Sequence, residues 1–74
     1  MKEFKIMGDM VEEQRRRMRL TRQELARAAG ISISNLTRVE NGRDATVLTL
    51  VRLGRVLRKE QAIQRWFLNL FGGT

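Results

Sequence analysis

An all-α fold is predicted by three features of this 74-residue chain: proline is absent, Leu, Ala, Arg, Glu and Gln dominate, and runs of β-branched residues are short. Glycine and capping residues set the breaks, at Gly8-Asp9, Leu20-Thr21, Gly30-Ile31-Ser32, Asn41-Gly42, Thr46 and Arg58. They divide the chain into five short helices, about 9–18, 22–29, 33–40, 47–57 and 60–71, forming one compact domain over residues 8–71. A loosely specified arm over 1–7, with Phe4 and Ile6, and a short tail over 72–74 flank it.

The first helix follows Gly8-Asp9. Helix two begins with a capping box, because Thr21 is followed three residues later by Glu24, and their side chains satisfy orphaned backbone donors at a helix start. Its Leu25, Ala26 and Ala29 share one stripe, and the small alanines let another helix approach closely. Ser32 and Thr46 are good N-caps for helices three and four, while Gly30 and Gly42 can take the left-handed backbone that ends a helix. Helix four is apolar at Val47, Leu48, Leu50, Val51, Leu53, Val56 and Leu57, more than a single core-facing stripe needs. Gly54 within it costs ~1 kcal/mol relative to alanine, which close helix approach would explain. Helix five sets Ala62, Ile63, Trp66, Phe67, Leu70 and Phe71 at helical spacing.

Only Gly30-Ile31-Ser32 separates helices two and three, and a turn of that length containing glycine is the mark of a helix-turn-helix. Projecting helix three at ~100° per residue puts Leu36, Val39 and Glu40 on one side and Ser34, Thr37, Arg38 and Asn41 on the other. A short helix with an apolar back and a hydroxyl, amide and guanidinium front suits the major groove of DNA, where such groups pair with base edges; the plain alternative is a solvated face. On this reading Ser34, Asn35 and Arg38 read bases. Asn41, Arg43 and an exposed amide at Gly42 follow the helix as phosphate contacts, and Arg22 is placed for the same task at the start of helix two; Thr37 is a further candidate. Glu40 projects toward the apolar side and needs a partner, for which Arg15 on helix one is the expected choice; a catalytic acid is the rival reading.

Composition narrows the function classes. Cysteine and histidine are both absent, which removes disulfides, most zinc sites and the common nucleophile-base pairs, so neither an enzyme nor a cofactor or metal site is expected. Fifteen basic against eight acidic side chains give a net charge of +7, which favours an anionic partner. The basic residues are scattered over several helices, which disfavours a membrane surface, and no apolar run reads as a signal peptide or a membrane span, so a cytoplasmic location is expected. Arg52, Arg55 and Lys59 recur at helical spacing and read as a solvated basic face or as flanking contacts to DNA.

The segment Leu20-Thr21-Arg22-Gln23-Glu24-Leu25-Ala26-Arg27-Ala28-Ala29-Gly30-Ile31-Ser32, followed by Leu36-Thr37-Arg38-Val39-Glu40-Asn41-Gly42, resembles the Cro and phage-repressor (XRE) helix-turn-helix family. The likeness continues through Thr46-Val47 and Leu50 to Leu57, covering about residues 8 to 58. It implies a five-helix domain that dimerises and sets helix three of each subunit in successive major grooves ~34 Å apart, on a palindromic operator. By position in the motif, Ile33, Ser34, Asn35 and Arg38 match the family's base-facing residues; Arg22, Asn41 and Arg43 match its phosphate contacts, and Arg15 with Glu40 its internal ion pair. Arg19 and Arg58 stand where the family usually has glycine, and Gln14 where an apolar residue is common. Ile33 replaces a more usual polar residue and either meets a thymine methyl or packs along Leu36 and Val39.

A domain of this size buries only about 60% of the surface its unfolded chain exposes, so a second copy would help it. Leu48 with Ile63, Trp66, Phe67, Leu70 and Phe71 forms the expected homodimer interface, the alternative being that every ring packs within the subunit. The leading function is a sequence-specific transcriptional repressor. An antitoxin that regulates its own gene beside a toxin partner resembles it, and a protein-interaction module that does not read DNA is the reading from another class.

Overall fold

The computed structural model describes residues 2–72 as five α-helices, α1 (Lys2–Arg17), α2 (Arg22–Ala29), α3 (Ile33–Glu40), α4 (Val47–Leu57) and α5 (Glu60–Phe67), followed by a π-helical turn over Leu68–Gly72. No strand occurs among the described residues. Each helix lends one stripe to a shared core: Met7 and Val11 from α1, Leu25, Ala26 and Ala29 from α2, Leu36 and Val39 from α3, Leu50, Leu53 and Leu57 from α4, and Ile63 from α5. Burying a leucine of this kind contributes about 1.5–3 kcal/mol.

The largest departure from the sequence expectation is at the N-terminus. α1 begins at Lys2, so residues 2–7 are helix and not a loose arm, and Gly8 lies buried in mid-helix. A Cβ built on Gly8 would collide with the Val39 carbonyl oxygen and stand 3.2 Å from the Gly42 nitrogen. Glycine here permits the close crossing of α1 over α3 and is no helix break. Helix five differs too, giving way to the π-helical turn after Phe67 and not running as α-helix to 71. The rest of the expected arm, Met1, and tail residues 73–74 lie outside the described residues.

The caps follow the sequence. Thr21 Oγ1 accepts from the Glu24 N–H at 3.0 Å, and the Thr21 N–H donates to Glu24 Oε1 at 2.8 Å. Hydrogen bonding to the carboxylate, first from the Thr21 backbone N–H and then from the Thr21 hydroxyl, holds the Glu24 carboxyl below the usual glutamate range. A carboxyl whose pKa is lower folded than unfolded adds stability above its unfolded pKa, and loses it as pH falls through the folded value. Glu24→Gln should therefore flatten the acid limb of the stability curve below about pH 4.5. Urea melts at a series of pH values check this.

Ser32 Oγ accepts from the Asn35 N–H and Thr46 Oγ1 from the Thr49 N–H, opening α3 and α4. α2 ends at Gly30, with φ 71°, whose carbonyl oxygen accepts from Arg52 Nη1 at 3.1 Å. Arg52 thus ties α4 to the end of α2. Arg19 and Arg58 both hold left-handed backbone, φ 59° and 58°, so the helix ends fall where glycine would put them, at ~1–2 kcal/mol of backbone strain each. Gln14, polar where an apolar residue is common, donates from Nε2 to the Leu57 carbonyl at 3.1 Å and so satisfies the end of α4.

Helix α5 leans on α1. Trp66 Nε1 donates to the Glu3 carbonyl at 2.8 Å, and its ring meets Phe4 edge to face at 5.2 Å. Ile63 is 3% exposed and packs over Gly54, where an added Cβ would stand 2.8 Å from Ile63 Cδ1. Ile63, expected at a subunit interface, is instead buried within the chain, while half-buried Trp66 spends its N–H on α1.

Candidate nucleic-acid interface

Two short helices meet across a turn fixed by its own backbone. The Ile31 N–H donates to the Ala26 carbonyl at 3.0 Å, carrying the chain from the end of α2 straight to the Ser32 cap of α3. Leu36 and Val39 then face inward against α2 and α1, and this inward pair decides which side of α3 is left outside. On that side Ile33, Ser34, Asn35 and Arg38 are exposed together and Thr37 is half-buried beside them. Ile33 is 46% exposed, so a large part of its side chain lies on this outer face.

Glu40 is wholly enclosed, its side chain 0% accessible, and both oxygens are held. Arg15 grips it with two nitrogens, Nε to Oε2 at 2.7 Å and Nη2 to Oε1 at 3.1 Å, while Arg15 Nη1 donates to the Leu20 carbonyl at 3.0 Å. The hydrogen bond to Glu40 raises the Arg15 pKa against the opposing effect of burial, with the charges of Glu40 and Glu12 adding to it. The expected pair of Arg15 and Glu40 is thus present, and it has a third member. Arg22 Nε donates to Glu40 Oε1 at 2.9 Å, so the arginine expected at a phosphate also closes the buried network. Its side chain stays 39% accessible, so the guanidinium reaches both the carboxylate and the surface. Sequence reasoning missed this second role. The signal lay in the bidentate need of a buried carboxylate for more donors than one arginine supplies.

After α3 the chain turns sharply. The N–H groups of Asn41, Gly42 and Arg43 donate to the carbonyls of Thr37, Val39 and Arg38, at 2.9, 3.0 and 3.0 Å. The amide at Gly42, expected to face a phosphate, is therefore occupied, and the side chains of Asn41 and Arg43 remain as the exposed groups there. Gly42 itself has φ 77° and packs under α1, where an added Cβ would stand 3.0 Å from Lys5 Cα. Beyond it Asn35, Arg38, Asp44, Thr46 and Thr49 line a polar cleft of about 280 Å³ between α3 and the start of α4. Asp44 was not among the sequence candidates.

A short polar helix, presented across a glycine-containing turn and backed by α1 and α2, defines a helix-turn-helix DNA-binding domain. The helix-turn-helix family model matches residues 11–60, well over half of the chain, and the protein belongs to that family, of the Cro and phage-repressor type. It is a DNA-binding regulator of the XRE kind. Comparison with curated proteins and with solved structures gives no match. No helix among the described residues is long and apolar enough to cross a membrane.

Proposed function

We propose that the protein is a transcriptional repressor that binds a palindromic operator in double-stranded DNA as a homodimer. The observation that carries the reading is the outer face of α3, where Ile33, Ser34, Asn35 and Arg38 are exposed without a carboxylate among them, while Glu40 is turned inside. Ser34, Asn35 and Arg38 pair with base edges, Ile33 meets a thymine methyl, and Arg22, Thr37, Asn41 and Arg43 hold the backbone. Arg22 does so with the nitrogens not engaged by Glu40.

The dimer reading is supported by large apolar side chains that the chain leaves uncovered. Leu48 is 57% and Phe71 74% exposed, and Phe71 stacks on half-buried Phe67 at 5.9 Å. Leu70, next to Phe71 in the chain, is half-buried. Val47, Val51, Phe67 and Leu68 line an open groove of about 430 Å³ between α4 and α5, which Arg55 and Glu60 also line. Opposite charges in one groove suit a two-fold contact, because each copy's arginine can meet the other's glutamate. Sedimentation should give a dimer at micromolar concentration and Leu48→Glu a monomer; a wild-type monomer at high micromolar concentration removes this part of the proposal.

The reading as a whole is tested by fluorescence anisotropy on the duplex upstream of the protein's own gene and on a scrambled duplex, at two salt concentrations. Arg38→Ala should cost about 1–3 kcal/mol on the preferred duplex and relax selectivity at one base pair. Arg43→Ala should weaken all duplexes alike and lower the salt slope by about one. Equal losses on both duplexes for Arg38→Ala remove its reading role.

A further inference from the structure

A carboxylate at the rim of a DNA-binding face needs a reason, because phosphates repel it. Around α3 two other acids are accounted for: Glu40 is neutralised by two arginines, and Glu24 is held in the cap of α2. Asp44 is different. It is exposed, and it is the carboxylate lining the cleft that also contains Arg38 and Asn35.

The loop that carries Asp44 is fixed at both ends. On one side the Arg43 N–H donates to the Arg38 carbonyl at 3.0 Å, laying residue 43 against the last turn of α3. On the other, Thr46 caps α4 through Thr49, to both its N–H at 3.2 Å and its hydroxyl at 3.0 Å. The two fixed ends keep Asp44 on the wall of the cleft that Arg38 also lines. Arg38 itself is exposed and forms no salt bridge among the described residues, so no counter-charge fixes its long side chain there. Ordering such a chain costs rotamer entropy, and a carboxylate in the same cleft lowers that cost by holding one edge of the guanidinium fork.

We infer that Asp44 is a positioning residue for sequence reading: on the operator it accepts from one edge of the Arg38 guanidinium, so that the other edge meets a guanine bidentately. The inference rests on the proposed reading of DNA by α3. Off the operator, Arg38 turns to a phosphate and Asp44 is left facing the backbone with its charge uncompensated. One carboxylate thus strengthens the correct complex and weakens the others, which is how selectivity is raised by a repulsive element.

The test starts from the duplex that the full wild-type chain selects out of a randomised library, with a scrambled duplex beside it, and measures Asp44→Asn, Arg38→Ala and the double variant on both. Asp44→Asn should lose about tenfold on the selected duplex, within the range of a bidentate contact, and gain about threefold on the scrambled one. With Arg38→Ala already present the tenfold loss should vanish, since the two act as one unit. Asp44→Glu, which keeps the charge on a longer arm, should recover part of the loss. Losses that simply add, or an equal gain on both duplexes, overturn the inference and leave Asp44 as a repulsive charge alone. A lowered melting temperature that accounts for the whole loss also overturns it, in favour of a role at the positive end of α4. A wild-type chain that selects no sequence overturns the DNA-reading proposal itself, and the inference with it.

Discussion

Glu40→Ala is expected to cost about 3–5 kcal/mol, the loss found when one member of a buried ion pair is removed and the other is left without its counter-charge. A domain of this size has little more than that in total, so the variant should be largely unfolded at 25 °C. The cost falls chiefly on Arg15, which is 9% exposed and would keep its charge with one remaining acceptor, the Leu20 carbonyl. Arg22 is better placed, because its half-exposed side chain can turn to water. Two further variants separate the pair from its environment. Arg15→Met with Glu40→Leu should recover most of the lost stability, since apolar replacements remove the charge left unpaired by the single change. Arg22→Gln should cost about 1 kcal/mol or less, as expected for a partly solvated member of the network. Chemical denaturation of Arg15→Met, Glu40→Leu and the double variant gives the coupling between Arg15 and Glu40; none at all would remove the network from the account of how α1 holds α3.

Much of this was legible because it depends on local chemistry. The capping box at Thr21 and Glu24, the caps at Ser32 and Thr46 and the left-handed turn at Gly30 each act within four residues, and the sequence places them where the structure does. The inward side of α3 is legible for the same reason, since Leu36, Val39 and Glu40 share a stripe whatever surrounds them. What was not legible depends on neighbours distant in the chain. Arg22 meets Glu40 across 18 residues, and Trp66 meets Glu3 across 63. Nothing in the spacing of α5 says that Trp66 would cover α1 while Phe71 stays outside. The Gly42 amide was misjudged because a turn after a helix can satisfy its own donors, which residue types alone do not reveal. Gly8 was misread for a related reason, because the same residue serves as a breaker in one context and as a contact point in another.

Gly8→Ala should be the most damaging single-methyl change in the chain, lowering stability by about 1–3 kcal/mol or more where the backbone must shift. In an unpacked helix this substitution would add about 1 kcal/mol of stability. Here the new Cβ meets the Val39 carbonyl oxygen, with the Gly42 nitrogen at 3.2 Å and the Glu40 carbonyl carbon at 3.3 Å, all of them main-chain atoms at the end of α3. None can turn aside as a side chain can. α1 would have to move off α3, loosening the support of the recognition helix and the grip of Arg15 on Glu40 together. Gly54→Ala provides the matched control: its nearest obstacle is Ile63 Cδ1 at 2.8 Å, the far end of a flexible side chain, and the next is Glu60 Cα at 3.7 Å. A rotamer change of Ile63 relieves it for about 1 kcal/mol, so the helix-propensity gain should nearly cancel the cost. Thermal melts of the two variants should thus diverge by several degrees, Gly8→Ala far below wild type and Gly54→Ala close to it. Equal small shifts would mean that α1 and α3 are not in backbone contact at Gly8. In that case residues 2–7 would lose the contact that makes their helix part of the domain.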